Sequence, residues 1–555
     1  MALAVALLLA GIGVCAPVAA SPPPLDPFWR NATVYFLLTD RFRNGDPGND
    51  HAAGRQRDGD TLRSFEGGDL AGLTRTIESG YFNRLGVDAI WTTPLIENVH
   101  GSVIEGQGGK SYGFHGYWPL DWTAVDPSVG TRRDLSRMVA AAHRRGLRVI
   151  VDVIANHAGP QTDVDPRWPA DWVRPGPPCD YKSYAGTVSC ELTFTLQDMR
   201  TESTQPVDLP PHLVDKWRRE GRLDAERAAL DAFFARTGYP RTPRYYLVKW
   251  LSDWIREYGI DGFRVDTAKH VDPELWADLR READLALTDW RARHPDRIKG
   301  DKPFYMVGEV FNFGLSDFGN ARGSAYDYGD RKVDFHAHGF DALINMGFAS
   351  QSRQPLPQLY AAMSDQLTAG AFAGYGTLNY IASHDDMGPR DGARTDPLGD
   401  AEALLLAPGA AQVYYGDEIG RSLIVPDSRG DATLRSVFDW SVARSAKGRA
   451  LIDHWGRLGR FRQRHPAIGA GRHSELSRTP FTFARILDEG PVHDRAVVAL
   501  GLTGASVTIP VGTAFAEGAV LRDAYSGERT TVRKGMAALR RAGRVVLLEA
   551  TTRVR

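Results

Sequence analysis

At 555 residues, 43% of them hydrophobic, with 57 Gly and 33 Pro, the chain exceeds one ordinary domain and is neither disordered nor a fibrous repeat. Its 67 basic residues stand against 68 acidic ones, which excludes the electrostatic footprint of a nucleic-acid or anionic-membrane binder and suits a neutral, hydroxyl-rich partner. The 13 Trp and 19 Tyr include rings suited to stacking on sugars, although most such rings serve as core.

In chain order, residues 1–20 come first and have the pattern of a secretory leader. An apolar run from Ala2 to Val14 reaches small residues at Val18, Ala19 and Ala20, which predicts cleavage near Ser21 and a periplasmic or secreted protein. Cys15 follows Ile12-Gly13-Val14, a poor match to an acylation site. No other stretch reaches the roughly 20 apolar residues of a membrane span. Cleavage leaves Cys179 and Cys190, which close a short loop; an oxidising compartment favours a disulfide between them over two buried thiols.

Eight short apolar runs then alternate with helical patterns: Val34 to Leu38, Val87 to Thr92, Val149 to Val153, Ile260 to Val265, Phe304 to Val307, Ala342 to Met346, Leu378 to Ala382 and Ala411 to Tyr415. Such alternation predicts an α/β fold, a parallel (β/α)8 TIM barrel. Leu247, Leu251, Trp254, Ile255 and Tyr258 keep one helical face that Gly259 ends, and Leu135, Met138, Val139 and Ala142 form another, closed by Gly146. The crossover after the third strand, roughly ninety residues, is too long for a connection and predicts an inserted subdomain at 158–244. The barrel then occupies 25–157 and 245–465. After about His465 short alternating strands such as Val497 to Leu500 and Val507 to Ile509, with the turn Tyr525-Ser526-Gly527, predict a C-terminal antiparallel β-sandwich at 466–555.

Catalytic groups of a parallel barrel gather at the C-terminal ends of its strands. The third strand runs into Asp152-Val-Ile-Ala-Asn156-His157 and the fourth into Gly262-Phe-Arg264-Val-Asp266-Thr-Ala-Lys269-His270. The fifth reaches Gly308-Glu309-Val310, and the seventh Ser383-His384-Asp385-Asp386. Singly, an Asp after a strand is more often a helix cap or a solvated loop residue; three carboxylates at three strand ends, accompanied by His, Arg and Lys, are not expected by chance. In order and spacing these segments resemble the four signature motifs of the α-amylase family of glycoside hydrolases (family 13). Leu196-Gln-Asp198-Met-Arg-Thr-Glu-Ser203 resembles its fifth motif. The similarity runs from about Val34 to at least Ile468. Tyr258 to Val271, Leu404 to Asp417 and Phe461 to Gly471 look most like bacterial periplasmic members.

Carried over by position, the resemblance implies Asp266 as nucleophile, Glu309 as general acid/base and Asp385 as transition-state stabiliser. Retention needs an attacking carboxylate and a proton-donating carboxylic acid roughly 5–5.5 Å apart. Arg264, two residues before Asp266 on one strand face, is expected to hold the Asp266 pKa down. Glu309 needs a less solvated setting or a nearby negative charge, such as Asp385, to keep its proton. The resemblance also implies sugar binding by His115, Tyr117, Trp118, His157, His270 and His384, with Lys269 on the leaving-group side. It implies Ca²⁺ held by Asn156, Asp198 and the His270 carbonyl, oxygen ligands that suit a hard ion. A second ion is implied at Asn44, Asp46, Asn49, Asp50, Gly67 and Asp69, against which a plain turn cluster is the alternative. The expected partner is an α-glucan, cut by a monomeric enzyme; an exo-acting α-glucosidase, a maltodextrin-trimming enzyme or a glucanotransferase of the same family are the alternatives, and a non-catalytic relative would lack one of the carboxylates.

Overall fold

The computed structural model describes residues 25–551 apart from 194, 298–301, 316–318, 504–505 and 541–542; the leader expected at 1–20, with Cys15, lies outside them. Eight parallel strands close a barrel: β1 (Thr33–Leu37), β2 (Ala89–Thr92), β3 (Arg148–Val153), β4 (Gly262–Val265), β5 (Tyr305–Gly308), β6 (Ala342–Asn345), β7 (Gly376–Tyr380) and β8 (Ala410–Tyr414). Each pairs with its neighbours in chain order, and β8 returns to β1. Every residue of these strands is buried, because helices cover the outside and side chains fill the inside, so the runs are mainly apolar, with a few buried polar residues such as Asp152, Arg264, Asn345 and Asn379 among them.

These strands match the eight expected runs, with ends that differ by up to two residues: β2 and β4 begin two residues later than expected. β7 ends two residues early, since the Ile381 carbonyl turns to accept from Arg390 N at 2.8 Å. Ser383 to Asp386 are therefore loop residues beyond the strand, free of the pleat that would dictate which way they face. The helix Arg132–Arg144 begins with a Thr131/Asp134 capping box. The helix Pro243–Tyr258 ends at Gly259 with φ 76°, where a Cβ would lie 2.2 Å from the Trp290 ring, so both backbone hand and space require glycine.

The crossover after β3 is an inserted unit with a strand pair (Val173–Arg174 and Asp198–Met199) and helices Pro211–Arg219 and Leu223–Thr237. A disulfide joins Cys179 to Cys190, with Cα atoms 4.9 Å apart. Trp172 stacks on Trp250 of the barrel at 5.7 Å, and Trp168 meets Trp122 edge-on at 5.5 Å, so an aromatic seam fixes the insert. A second excursion, which the hydrophobic pattern does not announce, follows β5: three short antiparallel strands at Ala321–Arg322, Ala325–Asp327 and Lys332–Val333. After the helix Ala446–Arg464 the chain forms a six-stranded antiparallel sheet, Arg472–Arg478 to Val545–Ala550, and a separate pair, Val507–Pro510 with Met536–Leu539. Among the described residues no helix is long and apolar enough to cross a membrane.

Candidate active site

The ends of β3, β4 and β5 meet at one buried guanidinium. Arg264, 1% exposed, places Nη1 3.0 Å from both oxygens of Asp152 and 2.8 Å from Asp266 Oδ1, and Nη2 2.9 Å from Glu309 Oε2. Strand alternation puts Arg264 and Asp266 on one face, as expected. The electrostatic outcome differs from expectation. Arg264 divides its charge among three carboxylates, so burial, helped by the Glu309 charge, pushes the Asp266 carboxyl well above the usual range, with Arg264 only opposing. Asp152 is likewise pushed up by burial, to about 6. Three acids around one cation cannot all ionise cheaply.

Other backbone and side-chain groups aim these acids. Thr267 N donates to Glu309 Oε2 at 2.9 Å from a left-handed backbone, φ 48°, a costly conformation for a β-branched residue and one that clusters at functional sites. Tyr117 Oη and Trp91 Nε1 donate to Asp152 Oδ2 at 2.8 and 3.1 Å. Asp385 accepts from Ser383 Oγ at 3.1 Å. Its side chain is 41% exposed, against 9% for Asp266 and Glu309, which places it at the mouth of the site and the pair at the floor.

These acids open into a cleft of about 630 Å³ that His115, Tyr117, Trp118, His157, Lys269, His270 and His384 also line. The sequence-derived sugar-binding set is therefore gathered in one place, with Arg264 beneath it. Tyr117 stacks on His384 at 5.1 Å, and His157 Nε2 lies 3.0 Å from the Tyr117 carbonyl. Burial lowers His157 and His270 to about 4 and drives His115 and His384 well below the usual range. All four are neutral near pH 7, and hydrogen bonds to the protein, such as His270 Nδ1 to the Thr187 carbonyl, fix their ring orientation. Lys269 Nζ donates to the Phe311 carbonyl and Tyr326 Oη, both at 3.2 Å. Sequence reasoning missed Glu105, Asp431 and Arg435 at one end of the cleft and Tyr181, Phe311 and Tyr326 at the other. They arrive on segments remote from the barrel-strand ends, and the sole signal was their aromatic or charged character.

The two calcium sets fare differently. Asn156 and Asp198 are adjacent: Met199 N donates to the Asn156 carbonyl at 2.8 Å, and Asp198 bridges His157. Asn156 Oδ1 is buried with no hydrogen-bond partner and the Asp198 carboxylate is buried, a fit for a hard cation, with Arg174 Nε 2.7 Å from Asp198 Oδ2 as a competing charge. The His270 ring turns to the Thr187 carbonyl at 2.9 Å. In the first loop, Asn44 Nδ2 donates to Asp50 Oδ1 at 2.7 Å beside Gly67, and Asn49 Oδ1 is buried without a partner. Asp69 instead accepts from the amides of Gly45, Asp46 and Gly72, and Asp46 from Gly48, so these two carboxylates cap turns.

The family model for the catalytic domain of alpha amylase matches residues 36–444. A periplasmic alpha-amylase of Escherichia coli (strain K12) is 37% identical over 509 residues, covering 81% of this chain and 69% of that protein. A cyclomaltodextrin glucanotransferase of Bacillus licheniformis is 26% identical over 79% of this chain, which spans 54% of that longer relative. The crystal structure of an Anoxybacillus alpha-amylase, 23% identical, superposes with a TM-score of 0.65 over 94% of this chain and 99% of its own, a likeness of fold. Barrel, strand-end acids and sequence agree: the chain belongs to the α-amylase family of glycoside hydrolases and is an enzyme of that type.

Proposed function

We propose that this enzyme is an α-amylase that hydrolyses internal α-1,4-glucosidic bonds of starch, glycogen and maltodextrins with retention, through a covalent glycosyl-enzyme intermediate. One observation carries the reading: Asp266 and Glu309 lie 2.8 and 2.9 Å from two nitrogens of the same guanidinium, on the floor of a cleft large enough for several sugar rings. A retaining pair needs its two carboxyls roughly 5–5.5 Å apart, and two carboxyls gathered on one guanidinium support that reading. Asp266 attacks the anomeric carbon while Glu309 protonates the leaving oxygen. Glu309 then takes a proton from the water that releases the sugar.

The supporting residues follow from their contacts. The Thr267 amide keeps one Glu309 oxygen fixed, so the other is free for the proton. Asp385, at the mouth, is placed to hold sugar hydroxyls and to face positive charge as the oxocarbenium ion forms. The four neutral histidines orient hydroxyls, and Lys269 takes the leaving-group side. Asn156 and Asp198 would hold a Ca²⁺ that ties the insert to the barrel; Asn44, Asn49, Asp50 and Gly67 could hold a second. Calcium there supplies rigidity and enters no bond-making step. The leader-like N-terminus and the periplasmic relative support an exported enzyme.

Glucanotransferase relatives define the second reading, in which a sugar hydroxyl replaces water. Soluble starch decides between them. Internal hydrolysis removes iodine staining early while little reducing sugar appears; slow loss of stain, or cyclic products, would contradict the proposal.

A further inference from the structure

Two insertions meet beside the Lys269 end of the cleft. One is the loop from Cys179 to Cys190, closed at its base by the disulfide; the other is the three-stranded sheet after β5. Tyr184 N donates to Asp330 Oδ1 at 2.7 Å, and the Arg331 guanidinium carbon lies 4.2 Å from the centre of the Tyr184 ring. The Tyr184 ring also meets Tyr328 edge-on at 5.2 Å, while Tyr328 Oη donates to the Lys269 carbonyl at 2.7 Å.

The pinned loop carries groups into the site. The Thr187 carbonyl accepts from His270 at 2.9 Å, and Tyr181, 53% exposed with φ 58°, holds its ring 5.5 Å from Lys269 Nζ. A disulfide fixes only the base of a loop; the tip still has conformational freedom to lose before Tyr181 can present its ring in one place. The Asp330 hydrogen bond and the Arg331 cation–π contact remove that freedom at the tip. Asp330 and Arg331 do not themselves line the cleft.

We infer that Asp330, with Arg331, is a positioning residue for substrate specificity: it holds the disulfide loop so that Tyr181 takes up sugars of the leaving group beyond the first. This rests on the amylase reading, which puts Lys269 on the leaving-group side. A maltoheptaose that extends past Lys269 feels the loop; an aryl maltotrioside, whose leaving group is a single nitrophenol, does not.

The test compares both substrates in wild type, in the Asp330→Ala/Arg331→Ala double variant and in Asp330→Asn. The double variant is expected to raise KM for maltoheptaose about threefold to tenfold, the worth of one or two such contacts. Its kcat, and kcat/KM on the aryl maltotrioside, stay at wild-type values. Asp330→Asn keeps an oxygen acceptor for Tyr184 N and retains wild-type KM. An unchanged maltoheptaose KM in the double variant, equal losses on both substrates, or an Asn variant with a raised KM overturns the inference. A wild type inert on both substrates instead refutes the amylase reading, and the inference falls with it.

Discussion

At the scale of single residues, Arg264 organises the site. A buried cation shared by Asp152, Asp266 and Glu309 is stable only because each partner remains. Arg264→Met is expected to leave three uncompensated buried acids and to cost on the order of 3–5 kcal/mol, read by chemical denaturation; an unchanged midpoint would show that the carboxyls relax elsewhere. Asp266→Asn and Glu309→Gln should each lower kcat on soluble starch by about a thousandfold or more while circular dichroism stays native. Wild-type-like turnover in either would reject the assignment. As candidates these residues were readable from the sequence because they cluster at strand ends, while their roles came from the resemblance to the α-amylase motifs. The direction of the Asp266 shift was not, since it depends first on how deeply the folded barrel buries Asp266 and then on Glu309 and Asp152 approaching the same guanidinium from β5 and β3.

At the scale of elements, the barrel strands announced themselves through runs such as Val149 to Val153, which burial on both faces makes mostly apolar, Asp152 being the exception that reaches the site. The sheet after β5 did not: strands as short as Lys332–Val333 have too few residues for a period. It supplies Tyr326 and Tyr328 to the cleft and contacts the disulfide loop, so a large part of the Lys269 end of the cleft came from a segment with no pattern. The insert depends on a different kind of tie. If Ca²⁺ binds Asn156 and Asp198, a chelator lowers the melting temperature and added Ca²⁺ restores it, whereas Asp198→Asn weakens that response. Identical scanning-calorimetry traces with and without chelator would refute the main calcium site.

At the scale of the whole molecule, the C-terminal sheet is locked to the barrel through an ionic knot that no local pattern foretold, its partners lying far apart in sequence. His465, after the last long helix, sits 2.8 Å from both Asp494 and Glu549, and Arg464 approaches Glu549 at 3.0 Å. Burial lowers the His465 pKa, yet the hydrogen bonds it donates to the two acids outweigh it and raise it overall; burial raises that of Glu549, yet its cationic partners bring it down to about 2. The His465 contribution is therefore full below its unfolded value of about 6.5 and is lost as pH rises through the folded value. The Glu549 contribution is present above about 4.3 and is lost as pH falls toward 2. The junction is strongest between about pH 4.3 and 6.5. From pH 6 to 9, the stability difference between wild type and His465→Gln should shrink; a constant difference would show that His465 does not titrate in this range.

All of these scales converge on one atom, the carboxylate oxygen of Asp266 that meets the anomeric carbon. A fluorinated glucosyl donor that forms its enzyme adduct faster than it is hydrolysed, followed by proteolysis and mass spectrometry, reads that bond directly. The account predicts one glycosyl residue on the peptide containing Gly262 to His270, attached at Asp266. A label on Glu309 or Asp385, or turnover with no adduct trapped, would contradict it.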